Sequence, residues 1–332
     1  MDSATLVQLL VATALVDQSA PPCWRMNELL GAVERLVMVT LGDCAGYAKI
    51  ASFALAELGE RTVNPAVKVL LKLAVLNGRR RCDEEDTLSI QTLFDEAARE
   101  IDMLEKGPHR DRCFSFFLYQ QQVFGSRCGF YGQASRAAKA TAGLSAKPEE
   151  RAISMYLASA YAMYAAIVSG VQEEINTAFS DLQAELLHLQ ADVADTALEI
   201  QWARGNGPIH LLQAMTLLGI IDNDTWIAHM HVVASNEVAL GGAFAPGIQV
   251  LKLENKRRCG MYYEVRQDAS VIIDDDKQSS ATKAWTRLIL ARTYMLDDKV
   301  AARLQYALIK PVPDAHMVWA VAARESAVLL PS

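Results

Sequence analysis

Apolar residues recur at three- and four-residue intervals along almost the whole of this 332-residue chain, a periodicity that very few architectures satisfy. It predicts helices over 4–16, 25–41, 45–58, 65–77, 87–105, 111–125, 131–143 and 148–168, and again over 172–203, 209–220, 223–240, 260–273, 279–296, 299–309 and 314–328. Helix-stop and turn signals stand between them: "SAPP" at 19–22, "EKGP" at 105–108, "AKP" at 146–148, "RGNGP" at 204–208, "GGAFAPG" at 241–247 and "KPVP" at 310–313. Most connections are short, so consecutive helices are expected to be antiparallel neighbours. "GGAFAPG" with the following "IQVLKL" is the least helical stretch and marks a break or distortion near 241–250. The composition agrees: 52% hydrophobic residues and about fifty alanines, against 18 glycines and 10 prolines, favour closely packed helices over a β protein. The expected fold class is all-α. At this length the choice is between two compact domains and one elongated repeat array.

A near-repeat favours the array. "RCGFYGQ" at Arg127 to Gln133 is echoed by "RCGMYYE" at Arg258 to Glu264, each placing a glycine, an aromatic and a Gln or Glu where a helix begins. "GYAKIA" (Gly46 to Ala51), "LFDEAA" (Leu93 to Ala98) and "DKVAAR" (Asp298 to Arg303) are looser versions. "LASAY" (Leu157 to Tyr161) and "LARTY" (Leu290 to Tyr294) are similar to each other as well, and "AARLQYALIKPVP" carries Ala302, Tyr306 and a terminal Pro313. These segments resemble the tetratricopeptide repeat family, in which such motifs mark the two helices of each pair and the joint between them. Small residues there allow close helix approach, aromatics fill the gap between pairs, and proline ends the unit. The resemblance covers about half the chain and no single repeat carries the full pattern. It implies an α-α superhelix, a tetratricopeptide-like solenoid of about seven antiparallel pairs forming a single elongated domain over 1–332. Tyr131 and Tyr262 are expected to pack between helices, with Gly129 and Gly260 as turn residues.

The formal charge of −7 and a pI near 5.5 argue against nucleic-acid binding. The basic patches "GRRRC" and "NKRRC" read as solvated helix ends, each with acidic residues nearby. Six cysteines are scattered with no C-x-x-C, which fits free thiols in a reducing compartment and an intracellular, cytoplasmic location. The apolar N-terminal segment lacks a positive n-region, so Leu6, Leu9, Leu10, Thr13 and Leu15 are assigned to a first packed helix. No membrane span is expected.

Enzyme chemistry finds little purchase. The alternative class is an all-α isoprenoid synthase holding Mg²⁺ and diphosphate on Asp-rich motifs, with "DEED" (Asp83 to Asp86), Asn223 to Glu237 and "DDD" (Asp274 to Asp276) as its candidates. Those clusters read equally as helix-terminal charge and capping. His229 and His231 stand two residues apart, about 200° around a helix, and cannot share an ion. "GNGP" (Gly205 to Pro208) has no preceding strand and no G-K-[ST], so it is a helix break; no G-x-S-x-G occurs. The apolar face Ile175, Phe179, Leu182, Leu186, Leu189 and Val193 suits a long solenoid helix or a partner coiled coil.

The sequence therefore points to a non-catalytic scaffold or adaptor with no cofactor and no metal, its groove holding a peptide, a helix or another subunit. The resemblance puts Leu290, Ala291 and Tyr294 against the partner helix and turns Trp285 and Arg292 toward the concave surface. Trp285, Arg292, Ser159 and Met163 are the candidate partner-binding residues, and Arg292 is expected to be dispensable for stability.

Overall fold

The computed structural model describes residues 1–17, 24–59, 61, 64–82, 87–220 and 222–329, and all regular secondary structure among them is helical. The chain divides into two compact units, Met1–Phe124 and Gly125–Ser332.

The first unit contains α1 (Ser3–Val16), α2 (Trp24–Glu34), α3 (Cys44–Leu58), α4 (Pro65–Arg79), α5 (Thr87–Met103) and most of α6 (Pro108–Arg127). Short polar side chains start the helices by accepting an otherwise orphaned backbone N–H: Asp2 from Thr5 at 2.8 Å, Asp43 from Gly46 at 2.7 Å, and Asn64 from Ala66 at 2.9 Å. α4 is apolar nearly all round and is the central helix, with α2, α3 and α5 packed against it. Its crossing with α3 depends on Gly78, where an added Cβ would lie 2.7 Å from the Ala48 Cβ and 2.8 Å from the Ala48 nitrogen. Phe94 of α5 meets Phe117 and Phe124 of α6 at 5.8 and 5.1 Å between ring centroids.

The second unit holds α7 (Tyr131–Leu144), α8 (Pro148–Ser169), α9 (Gln172–Asp192), α10 (Glu199–Gln201), α11 (Gly207–Leu218), α12 (Asn223–Ser235), α13 (Glu237–Leu240), α14 (Ala245–Arg258), α15 (Tyr262–Asp274), α16 (Ser280–Tyr294), α17 (Lys299–Ala307) and α18 (His316–Val328). Consecutive helices pair as expected: α7 with α8, α8 with α9, α14 with α15, α16 with α17. Beneath these pairs runs a circuit that periodicity does not reveal. α8 packs on α11, α11 on α14, α14 on α16, α16 on α18, and α18 returns to α8. Repeats in an open array touch only their neighbours, so this return closes the second unit on itself. The closure is hydrogen-bonded as well as packed. Asp314 N–H donates to the Arg127 carbonyl at 2.9 Å, Arg324 donates to the Val168 carbonyl at 3.2 Å, and the Tyr131 hydroxyl meets the Met317 sulfur at 2.9 Å.

The near-repeat is a repeated backbone joint. Gly129 and Gly260 both adopt left-handed φ, +82° and +76°. The residues after them, Phe130 (−82°, 53°) and Met261 (−81°, 55°), share one conformation and open α7 and α15. Tyr131 is buried, but Tyr262 is 39% exposed and corrects the expectation of two equivalent packing tyrosines. Other expectations also need correction. "LFDEAA" lies in the middle of α5, and "IQVLKL" belongs to α14, which Pro246 starts from its first turn. The distortion near 241–250 is confined to a 3₁₀ turn at Gly242–Phe244. "GNGP" straddles a continuous helical junction: Gly205 and Asn206 end a π-helical turn, Trp202–Asn206, and Gly207 and Pro208 open α11. α9 ends at Asp192, and its Ile175, Leu182, Leu186 and Leu189 are consumed in the core of the second unit. α8 is long and apolar enough to cross a membrane by length and composition, and 56% of its most apolar window is buried in the unit. Leu9 and Leu15 of α1 are each 41% exposed, whereas Leu6 and Leu10 are packed.

Candidate functional site: a cleft in the first unit

A cleft of about 1060 Å³ lies where the end of α3 and start of α4 face the end of α5 and start of α6. A proline fixes the first turn of each of the two incoming helices, Pro65 for α4 and Pro108 for α6. Ala66 and Val69 form an apolar floor and Leu55 and Leu104 line the walls, while Met103 at the rim is 76% exposed. The walls are tied by side chains that satisfy helix ends. The Lys68 ammonium donates to the Gly59 carbonyl at 3.1 Å, and Arg110 donates to the Ile101 carbonyl at 3.2 Å and to Asp102 at 3.1 Å. Lys72 pairs with Glu100 and reaches Glu96 at 3.5 Å. On the floor side the Cys113 thiol contacts the Ala66 carbonyl at 3.5 Å. The border around the apolar floor carries both signs of charge, Lys68, Lys72 and Lys106 beside Glu100 and Glu105.

The four predicted partner-binding residues are not in this cleft and are not gathered elsewhere. Met163 (0% exposed) and Trp285 (5%) lie in the core of the second unit, and Ser159 is half-buried on α8. The expectation that Trp285 faces an open surface is therefore corrected: α14, α15, α17 and α18 all pack on α16 and cover it. Arg292 is an internal clasp. Its guanidinium donates to the Leu217 carbonyl at 2.9 Å and to the Thr216 carbonyl at the end of α11, and meets Glu325 of α18 with Nε 3.0 Å from Oε2. Tyr306 completes the group, its hydroxyl donating to Glu325 at 2.7 Å. The expected concave face of α16 is thus part of the circuit's interior.

Perturbed ionisation also lies inside the second unit. The Tyr164 oxygen is 2.7 Å from His210 Nδ1, and the Tyr156 hydroxyl donates to the Gly207 carbonyl at 2.6 Å. Burial lowers the His210 pKa to about 4 and pushes both tyrosines well above their ordinary range. A neutral imidazole bonded to a protonated tyrosine is a stable core arrangement. Among the described residues no three His, Cys, Asp or Glu side chains gather as a metal site. The Asp83–Asp86 cluster lies outside the described residues. Asp275 accepts from Lys277 N–H at 3.0 Å in the turn after α15, and the N-cap of α16 is Ser279, whose hydroxyl accepts from Thr282 N–H at 3.1 Å. His229 and His231 share α12, with His229 half-buried and its pKa lowered by burial.

No protein family, no curated protein and no solved structure matches the chain. Geometry is therefore the ground for any functional reading. Linear sequence hides the cleft because it is assembled from helix ends about 40 residues apart; the prolines at 65 and 108 are its only local signals.

Proposed function

We propose that this protein is a non-catalytic scaffold or adaptor that holds a segment of a protein partner in the cleft of the first unit. Its helical pairs are read as units of a tetratricopeptide-like α-α superhelix, with those of the second unit drawn into a circuit. The observation that carries the proposal is the cleft itself: about 1060 Å³, apolar at its floor, with Met103 presented at the rim. A methionine so exposed is a flexible, polarizable contact suited to a partner's side chains.

The test is a photo-crosslinking amino acid at position 103 in the native cell, followed by mass spectrometry, beside affinity capture with Met103→Glu. The expected result is a partner that crosslinks at 103 and is lost from the Met103→Glu capture. A captured set unchanged by Met103→Glu, with no crosslink at 103, refutes the reading, as does turnover of a diphosphate substrate by the purified chain.

A further inference from the structure

α17 carries a second feature that the cleft does not explain. Ala302 (0% exposed) and Tyr306 (4%) anchor its inner face, while Val300, Leu304 and Leu308 on the outer face are 77%, 58% and 45% exposed. Single exposed apolar residues are ordinary on protein surfaces. Three at successive intervals of four form a continuous ridge, the row that interdigitates when helices pack. Lys299 and Arg303 each precede a ridge residue by one position, so at 100° per residue both fall on one border of the ridge, and the exposed Lys310 follows just beyond the helix end. Among the described residues none of them enters an ion pair, although Asp297 nearby is engaged by Arg266. The buried Nε of Arg303 has no hydrogen-bond partner. On a chain of net charge −7, an apolar ridge bordered on one side by uncompensated cations is a local inversion.

We infer that the outer face of α17 is a docking surface for an amphipathic helix of a protein partner, with apolar residues on the ridge and carboxylates along its border. Charge complementarity selects that occupant. A second copy in an antiparallel two-fold contact sets the basic border against itself, which is repulsive. The surface belongs to the second unit and acts independently of the cleft.

The experiment selects a displayed library of 20-residue peptides on the full chain and counter-selects on Val300→Asp/Leu304→Asp, a change confined to exposed positions whose folding is checked by circular dichroism. The expected survivors carry apolar residues at three- and four-residue spacing with aspartate or glutamate on one flank. Synthetic versions should lose at least tenfold in affinity to Val300→Asp/Leu304→Asp. They should lose several-fold to Lys299→Glu/Lys310→Glu, with a flattened salt dependence, and bind Met103→Glu as they bind the parent. Four results each overturn the inference: no peptide that depends on Val300 and Leu304; neutral or basic survivors; a dimer by light scattering that Leu304→Asp dissolves; or flotation with phosphatidylserine vesicles that Leu304→Asp abolishes.

Discussion

Arg292 offers the most demanding test of how the second unit is held together. Its side chain is 11% exposed, and it joins three helices by donating to the carbonyl end of α11 and to Glu325 of α18 from its place on α16. Arg292→Ala removes all of these donors at once. The Thr216 carbonyl still accepts from Gly219 N–H at 3.2 Å, but the Leu217 carbonyl loses the donor that Arg292 supplied. The Glu325 carboxylate keeps the Tyr306 hydroxyl, and at 32% side-chain exposure it is partly hydrated. A charge-assisted hydrogen bond to a carbonyl contributes about 1.5–3 kcal/mol. Stranding the partner of a buried ion pair costs about 3–5 kcal/mol, and hydration of Glu325 moves the total to the lower end, about 3 kcal/mol. Arg292→Lys should recover less than half of it, because an ammonium cannot reproduce the fork. Urea denaturation followed by circular dichroism gives the global value. Hydrogen exchange at the end of α11 gives the local one, needed because two units need not unfold as one. Arg292→Ala within about 0.5 kcal/mol of the parent, with unchanged exchange after Leu217, means the clasp is decorative and the circuit rests on apolar packing alone.

Further outcomes follow from other contacts. Ala291→Leu, at a fully buried helix crossing, should overpack α16 and lower stability by about 1–3 kcal/mol in the same titration. Gly78→Ala should cost about as much in the first unit, because its new methyl meets the Ala48 backbone; a stabilised variant, as helix propensity alone predicts, contradicts the crossing. His210, with its pKa lowered to about 4 from an ordinary 6.5, binds a proton more readily when unfolded, so the stability it contributes is complete above about pH 6.5 and is lost as pH falls toward 4. Across that window His210→Gln should flatten the pH dependence of unfolding by about 3 kcal/mol; equal slopes in parent and variant place the imidazole in water. Cys128→Ser/Cys259→Ser should leave partner capture intact, and loss of stoichiometric zinc in that variant is the contrary result.

Helix positions were legible because their signals are local. Pro148 in the first turn and Gly170 at left-handed φ after the last bracket α8 unambiguously. α14 escapes the periodicity since Pro246 and Gly247 sit in its first turn, shortly after two more glycines, and since "IQVLKL" is buried on most of its circumference and shows no stripe. The faces of α16 were misread for the same reason: helices cover it on several sides, so Trp285 and Leu290 are buried together and periodicity cannot distinguish inside from outside. Repeat resemblance located the joints at Gly129 and Gly260, where backbone conformation is dictated within a few residues. The contact between α8 and α18 joins segments with no shared motif, and the cleft is a meeting of helix ends that only Pro65 and Pro108 mark in the chain.

The return of α18 onto α8 also sets an order of events during biosynthesis. Roughly 150 residues separate the two helices, so at about 5–20 residues per second the face of α8 that α18 covers waits on the order of 10–30 s for its neighbour to leave the ribosome. Through that interval an apolar 22-residue helix lies partly uncovered in a crowded compartment. A nascent chain of this kind is a natural client for holdases, and a premature stop anywhere before His316 leaves the exposed face with no remedy.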